Sequence, residues 1–246
     1  MKDINSNLAR LKERMADAAT RAGREPEEIT LVAVTKTFPP QTIEAAWATG
    51  LREFGENRVQ AAEPKVEWFR ERDIPLKWHM VGHLQRNKVK KAIHLFDTIH
   101  SVDSIRLARE ISQRCERAEI TMPVLLEINV SGEASKYGFP VEAAADEREE
   151  QFLRAVEEIT SLPSLDLQGL MTMAPFGAPE QVLRSCFSRL RSLLSKLQDK
   201  FPEKGWRHLS MGMTDDFEVA IEEGATIIRV GRAIFGVRKE NRRTEQ

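Results

Sequence analysis

Short apolar segments alternate with amphipathic segments along most of the chain. The apolar segments are rich in Val, Ile and Leu and end in glycine or polar residues, which is typical of strands buried on both faces. The segments between them repeat their apolar residues with a helical period. The pattern predicts eight strands, at residues 30–35, 53–54, 76–81, 96–100, 123–130, 166–172, 206–209 and 226–230.

Helices are predicted before the first strand and between successive strands. A helix over about residues 4–22 places Leu8 and Leu11 on one apolar face. After the fourth strand, either Ser101 or Asp103 is expected to cap the next helix, since both side chains accept hydrogen bonds from backbone N–H groups.

The alternation of strands and helices also predicts the fold class, α/β. It implies a parallel sheet with helical crossovers. Eight repeats in 246 residues fit a closed (β/α)8 TIM-type barrel better than an open doubly wound sheet. An open nucleotide-binding sheet needs a glycine-rich turn after its first strand, whereas residues 36–38 contain no glycine. No linker-like segment interrupts the pattern, so we expect one domain over residues 1–246 with a polar tail at 237–246.

Composition and charge limit the classes of function. The chain has 41% hydrophobic and 30% charged residues, as globular proteins do, and its formal net charge of −1 does not favour nucleic-acid binding. No apolar segment is long enough to span a membrane, and the charged N-terminus lacks the apolar core of a signal peptide. Cys115 and Cys186 have no metal-ligand spacing and are expected to be reduced thiols. We therefore expect a cytoplasmic protein that binds neither nucleic acid nor a membrane.

Lys36 directly follows the first predicted strand. A lysine at the rim of an apolar interior is desolvated, which lowers its pKa and leaves a nucleophilic amine. Such lysines form Schiff bases with carbonyl compounds. The alternative is an ordinary lysine that ends a strand and extends into water. Taken alone, the segment favours this alternative, because most lysines at strand ends are solvated.

The loops after strands seven and eight contain candidate phosphate ligands. In (β/α)8 barrels the active site lies at the carboxyl ends of the strands, and phosphate groups often bind after strands seven and eight. Ser210 offers a hydroxyl group there, and Gly212 allows close approach of the backbone. Gly231 and Arg232 offer backbone N–H groups. The alternative is that both glycines serve turns only.

Two other clusters are weaker candidates for a site. His79 and His83 lie on either side of a predicted strand end, so their side chains diverge and we expect no metal site. The basic cluster at residues 86–91 is expected to be a solvated helix face and not a nucleic-acid site.

Six motifs, in order along the chain, carry a resemblance to a known family. They are residues 32–36 (VAVTK), 54–57 (FGEN), 78–85 (WHMVGHLQ), 169–173 (GLMTM), 209–213 (LSMGM) and 230–236 (VGRAIFG). These motifs resemble those of the pyridoxal phosphate homeostasis proteins, and the resemblance extends from residue 30 to residue 236. That family is similar to the N-terminal barrel of alanine racemase, so the resemblance implies the same barrel.

The resemblance also implies a cofactor, pyridoxal 5′-phosphate (PLP), bound as an internal aldimine. Lys36 is implied as the Schiff-base lysine, Asn57 as a residue lining the ring, and Arg229 as the residue facing the pyridine nitrogen. The implied phosphate ligands are Ser210, the amides of Gly231 and Arg232, and, with less support, Thr214.

The implied function is to hold PLP and to serve in its intracellular homeostasis and delivery, with no established catalytic activity. The implied recipients are apo forms of PLP-dependent enzymes, and we expect a monomer or a weak dimer. No catalytic residue is predicted, because the single tyrosine, Tyr137, lies at a loop tip beside Gly138, where we expect it to gate or pack. Two alternatives stay open, a PLP-dependent amino-acid racemase and a cofactor-free Schiff-base aldolase.

Overall fold

Parallel strands close into a barrel in the computed structural model, which describes residues 4–133, 135–141 and 146–236. The strands are β1 (Thr30–Val34), β2 (Glu53–Glu56), β3 (Lys77–Met80), β4 (Thr98–Val102), β5 (Met122–Asn129), β6 (Phe139–Pro140), β7 (Leu165–Met171), β8 (His208–Ser210) and β9 (Ile227–Val230). Hydrogen-bonded neighbours follow the order β4-β3-β2-β1-β9-β8-β7-β5, and pairing of β4 with β5 closes the ring. The predicted (β/α)8 barrel is confirmed.

Helices surround the barrel. They are α1 (Ile4–Arg21), α2 (Pro40–Trp47), α3 (Val59–Arg70), α4 (Val89–Leu95), α5 (Ile105–Arg117), α6 (Asp146–Thr160), α7 (Glu180–Lys200), α8 (Phe217–Glu222) and α9 (Arg232–Phe235). The predicted N-terminal helix is present as α1, which buries Leu8 and Leu11 and packs against α8 and α9. Within the described ranges, every helix is too short or too polar to cross a membrane.

The N-cap of α5 differs from the prediction. Ser104, and neither Ser101 nor Asp103, is the cap, because its hydroxyl oxygen accepts a hydrogen bond from the N–H of Leu107 at 3.3 Å. Ser101 is buried within β4, and Asp103 accepts a hydrogen bond from the Ser104 hydroxyl at 3.0 Å. Three polar residues in four positions offered competing caps, and only the backbone geometry decides between them.

Two strand predictions also need correction. The prediction of strand four at residues 96–100 starts too early, because the N–H of Phe96 still donates to the carbonyl of Ala92 at the end of α4. The short strand β6 was not predicted, since two residues are too few to carry a periodic pattern; it pairs with β5 at Ile128. The predicted tail at 237–246 lies outside the described residues.

The inside of the barrel combines apolar and polar side chains. Its apolar residues form a small cluster separate from the large core under the helices: Val32, Val81, Leu125, Met171 and Ile227. Side chains two positions apart on a strand point to the same face. His79, Glu127 and Arg229 each lie two residues from a member of this cluster and are buried. The alternation of the strands therefore carries ionisable groups into the interior of the barrel.

Candidate functional site

A cavity of about 490 Å³ lies at the carboxyl ends of the strands. The predicted binding residues in its wall are Lys36, Asn57, Arg229, Gly231 and Arg232, together with Thr214. Apolar side chains, including Met173, Phe176 and Leu183, form another part of the wall. The structure therefore brings together most of the predicted site at the face expected for a (β/α)8 barrel.

Lys36 lies just beyond the end of β1 and lines the cavity. The chain turns there, and Thr37 has a positive φ of 74°. Lys36 is exposed, as the segment taken alone favoured, and it lacks the desolvation of a lysine held at the rim of an apolar interior. In the described part of the chain, its amine makes no hydrogen bond or ion pair. The amine is therefore accessible to a molecule in the cavity.

A buried polar cluster supports the end of β1 behind Lys36. The amine of Lys65, on α3, lies 2.5 Å from Glu56 Oε1 and donates to the carbonyl of Thr35 at 2.9 Å. The Thr35 hydroxyl also donates to Glu56 Oε1, at 2.5 Å. The cluster ties β1, β2 and α3 together at the residue that precedes Lys36. Sequence reasoning missed it, because its three members come from three different elements.

Asn57 follows β2 and reaches the cavity beside the end of β3. Gly82 leaves room for this approach, since a Cβ atom at Gly82 would lie 2.5 Å from the carbonyl oxygen of Asn57. A side chain at position 82 would push the Asn57 backbone away. The glycine in the WHMVGHLQ motif therefore shapes the cavity wall.

The end of β9 and the start of α9 form the opposite wall. Gly231 is the N-cap of α9, and a Cβ atom there would lie 3.1 Å from the carbonyl oxygen of Val34. The first N–H groups of a helix have no acceptor within it, so those near Gly231 and Arg232 are available to an anion. The Arg232 guanidinium forms an ion pair with Asp215. These features fit an anionic group held by the backbone.

Ser210 and Thr214 occupy different environments. Thr214 lines the cavity, whereas Ser210 is fully buried at the end of β8. The predicted contact of Ser210 with phosphate stays a prediction, and its hydroxyl is hydrogen-bonded to Arg229 and His100. Gly212 has a φ of 92° and faces Ala220, where a Cβ would lie 2.6 Å away, so packing alone already requires this glycine.

Arg229 is buried and still reaches the cavity wall. Its Nη1 donates to Ser210 Oγ at 2.6 Å and its Nη2 donates to the carbonyl of Thr172 at 2.8 Å. Burial lowers the pKa of Arg229 to about 10, although Asp216 and Glu127 act in the opposite direction. The side chain therefore remains a fixed cation at neutral pH.

Two buried histidines continue the polar contacts of Ser210 across the barrel. His100 Nδ1 lies 2.9 Å from Ser210 Oγ, and His100 Nε2 lies 2.9 Å from His79 Nδ1. His79 Nε2 lies 2.7 Å from Glu53 Oε2. Burial lowers the pKa of His100 well below its usual value, and His79 and Arg229 lower it further. Sequence reasoning considered His79 only as a metal ligand, although its alternation with Val81, just after β3, pointed into the barrel.

His83 and Tyr137 lie together outside the barrel interior. Their rings stack with centroids 3.7 Å apart, and His83 Nδ1 lies 2.9 Å from Asp103 Oδ2. Tyr137 is 53% exposed. His83 and His79 have separate partners, as their positions around a strand end predicted. Among the described residues, no three His, Cys, Asp or Glu side chains are grouped to hold a metal ion.

Comparisons with known sequences support one family. A family model described as alanine racemase, N-terminal domain, matches residues 6–239. The chain is 42% identical to the pyridoxal phosphate homeostasis protein of Aquifex aeolicus over 94% of this chain and 97% of that protein. It is 40% identical to the protein of the same name from Pseudomonas aeruginosa, over 97% of each chain.

A solved structure of similar sequence agrees with these matches. It is PipY of Synechococcus elongatus with PLP bound, which is 33% identical, with a TM-score of 0.81 over 95% of this chain and 100% of that chain. An alanine racemase from Clostridium difficile, at 14% identity and a TM-score of 0.70, shares the fold over 98% of this chain and 58% of its own. The chain therefore belongs to the pyridoxal phosphate homeostasis protein family, within the larger family of the alanine racemase N-terminal domain.

Proposed function

We propose that this protein binds PLP as a Schiff base on Lys36 and serves to hold and deliver the cofactor. One observation carries the proposal: a single cavity combines a free primary amine, a fixed guanidinium and backbone N–H groups at a helix start. An aldehyde, a pyridine nitrogen and a phosphate on one molecule match these three groups. The names of the relatives and the PLP bound to PipY support the same cofactor.

The residues of the cavity fit the parts of PLP. The cofactor supplies an aldehyde that condenses with a primary amine, with loss of water, and a ring that accepts electrons. We assign Lys36 to the aldehyde, Asn57 to the ring and Arg229 to the pyridine nitrogen. The proposed phosphate ligands are Thr214 and the amides of Gly231 and Arg232, which line the cavity. Ser210, predicted as a further ligand, is buried and accepts a hydrogen bond from Arg229.

The setting of Arg229 favours a carrier over a PLP enzyme. A guanidinium stays charged, so beside the pyridine nitrogen it opposes protonation of the ring and weakens the ring as an electron acceptor. A racemase also needs a base on each face of the reacting carbon. Tyr137, the single tyrosine, is stacked on His83 at the barrel mouth, and Lys36 is left as the base for one face. We propose that the protein holds PLP in the cytoplasm, as a monomer or weak dimer, for apo PLP-dependent enzymes.

The decisive experiment replaces Lys36 by alanine. The wild-type protein with added PLP should show a visible band that borohydride removes, and mass spectrometry should then find the label on the peptide containing Lys36. Lys36→Ala should lose the band and keep the fold, because an exposed amine contributes reactivity and little packing. Lys90→Ala, an exposed lysine on α4, is the matched control and should behave as the wild type.

Two results would contradict the proposal. A borohydride-stable label in Lys36→Ala would place the attachment at another lysine. A wild-type protein that gains no band with PLP would leave the cofactor-free aldolase as the better interpretation.

Delivery has its own measurement, since loaded protein should reactivate an apo PLP enzyme while a scavenger removes free PLP. Failure to reactivate would reject the delivery role and leave cofactor binding intact.

A further inference from the structure

A chain of buried side chains connects Glu53, at the start of β2, with Arg229 at the cavity wall. The contacts run from Glu53 to His79 at 2.7 Å, from His79 to His100 at 2.9 Å, and from His100 to Ser210 at 2.9 Å. The last contact joins Ser210 to Arg229 at 2.6 Å. The strands β2, β3, β4 and β8 each contribute one of the first four side chains, and β9 contributes Arg229.

The two end groups, the Arg229 guanidinium and the Glu53 carboxylate, fix the direction of every hydrogen bond between them. A guanidinium has donors only, so Ser210 Oγ must accept from Arg229. The hydroxyl has one proton, and the acceptor within reach is His100 Nδ1. His100 then carries its own proton on Nε2 and donates it to His79 Nδ1. His79 is left with a proton on Nε2, which it donates to the Glu53 carboxylate, a group with acceptors only.

Charge and burial agree with this arrangement. Burial acts to raise the pKa of Glu53, but its interactions with His79 and Lys77 outweigh burial and lower it, so the chain ends on a carboxylate at neutral pH. Burial, together with the cation at Arg229, keeps His100 neutral by lowering its pKa. Each imidazole then has one proton, so it donates one hydrogen bond and accepts the other.

Other ionisable groups face the same part of the interior from neighbouring elements. They are Glu127 on β5, His208 on β8, Asp103 after β4 and Asp216 before α8. Glu127, His208 and Asp216 act on these side chains through charge alone, and Asp103 acts on Glu127, since their hydrogen bonds in the described residues go elsewhere or, at Glu127 Oε2, are absent. Arg229 therefore has two direct anchors, Ser210 Oγ and the Thr172 carbonyl.

We propose that His79 and His100 are positioning residues that hold the Ser210 hydroxyl as an acceptor for Arg229 and so fix the guanidinium at the cavity wall. The proposal rests on the proposed function, since the guanidinium is the group assigned to the pyridine nitrogen of PLP. It also changes the role of Ser210, because a hydroxyl whose only proton goes to His100 has none to give to a phosphate. Ser210 then acts on the ring end of the cofactor through Arg229.

The direction of the hydrogen bonds can be measured without any cofactor. Long-range ¹H–¹⁵N correlation spectra of the full chain distinguish the two neutral tautomers and the imidazolium, and histidine variants assign the signals. From the hydrogen-bond directions we expect His79 and His100 each to carry a single proton, on Nε2, at about pH 8. A proton on Nδ1 of His100, or an imidazolium at either residue, would overturn the proposal even if PLP binds.

A matched pair of variants tests the positioning role. His100→Asn keeps an acceptor oxygen near the place of Nδ1, whereas His100→Leu removes it. A cation beside the pyridine nitrogen lowers the proton affinity of the bound cofactor. His100→Leu should therefore move the pH midpoint of the visible band upward by about one pH unit. His100→Asn and the control His94→Leu, at an exposed position on α4, should stay within about 0.3 units of the wild type.

The outcomes separate this proposal from the proposed function. A PLP-loaded His100→Leu protein with an unchanged pH midpoint would reject the positioning role. If His100→Leu does not fold, the tautomers of the wild type still decide the direction of the chain. If the wild type takes up no PLP, the proposed function fails and the cofactor-directed part of this inference fails with it.

Discussion

Lys36 and Arg229 are two cations in one cavity with opposite environments. Lys36 is exposed and has no hydrogen-bond partner in the described chain, whereas Arg229 is buried and donates to Ser210 and Thr172. A free amine can move and react, while an anchored guanidinium keeps its charge at one point. Under the proposed function, the cavity thus separates Lys36, the group that would bond to the cofactor, from Arg229, the group that sets the electrostatic potential.

Thr214 tests the phosphate end of the cavity at the scale of one residue. Thr214→Val keeps the shape of the side chain and removes the hydroxyl group at the cavity wall. A hydrogen bond to a charged group contributes about 1.5–3 kcal/mol, so PLP affinity should fall roughly tenfold to a hundredfold. Equilibrium titration measures the change, and Thr98→Val at the start of β4 is the control. Equal affinities in both variants would place the phosphate elsewhere.

The sequence predicted the position of those candidate site residues that follow a strand, while their contacts with a cofactor stay predictions. Asn57 and Gly231 come directly after β2 and β9, Lys36 comes two residues after the end of β1, and the barrel brings all such positions to one face. It predicted poorly the polar residues inside strands. Ser210 and His100 needed partners from other strands before their roles could be seen. Pairing across a barrel depends on register, which one sequence does not contain.

At the scale of elements, the Glu56–Lys65 pair holds α3 against the end of β1. Both side chains are buried, and Thr35 gives the pair two further hydrogen bonds. Removing one partner of a buried ion pair leaves an uncompensated charge, which is far more costly than losing both partners. The pair therefore sets the position of the residue before Lys36 as well as the packing of α3.

We expect Lys65→Met to destabilise the protein by about 3–5 kcal/mol, because Glu56 would stay buried without its cation. The double variant Lys65→Met with Glu56→Leu should recover part of that loss. Urea denaturation gives the free energies, with Lys90→Met on the surface as the control. A single variant as stable as the control would show that the carboxyl group is protonated or solvated in the folded state.

The elements themselves were predictable where their hydrophobic period was long. The eight strands and the N-terminal helix follow from repeated apolar positions, and the structure shows them. The two-residue β6, the start of β4 and the cap at Ser104 depend on single hydrogen bonds. Such details are local choices between near-equal alternatives, so a pattern of side chains cannot resolve them.

At the scale of the whole molecule, two buried groups set opposite pH dependences of stability. Burial raises the pKa of Glu127 to about 7, with a further rise from Asp103 and a decrease from Arg229. From about pH 4.5 to about pH 7 the unfolded chain releases this proton and the folded chain keeps it, so stability falls as pH rises. The lowered pKa of His100 has the reverse effect, since below about pH 6.5 only the unfolded chain gains the proton.

Glu127→Gln removes the loss of stability that the Glu127 carboxyl group causes as pH rises, and it leaves the effect of His100 in place. The cofactor-free variant should be more stable than the wild type by on the order of 1–3 kcal/mol at about pH 8, and nearly equal to it at about pH 4.5. Urea midpoints at both pH values measure the difference, and the exposed Glu203→Gln is the control. A difference that is the same at both pH values would mean that Glu127 titrates normally in the folded protein.

The pairing of β1 with β9 has a consequence for the synthesis of the protein. Ala33 pairs with Val230, so Lys36 and the Gly231–Arg232 amides become neighbours only when the last strand docks beside the first. A chain still emerging from the ribosome has exposed its reactive lysine long before it has the groups proposed to grip the phosphate. If PLP binds as proposed, tight loading must therefore wait until residue 232 has been translated. A cofactor bound as proposed would then also link the first and last strands, and its uptake would be the final step of maturation.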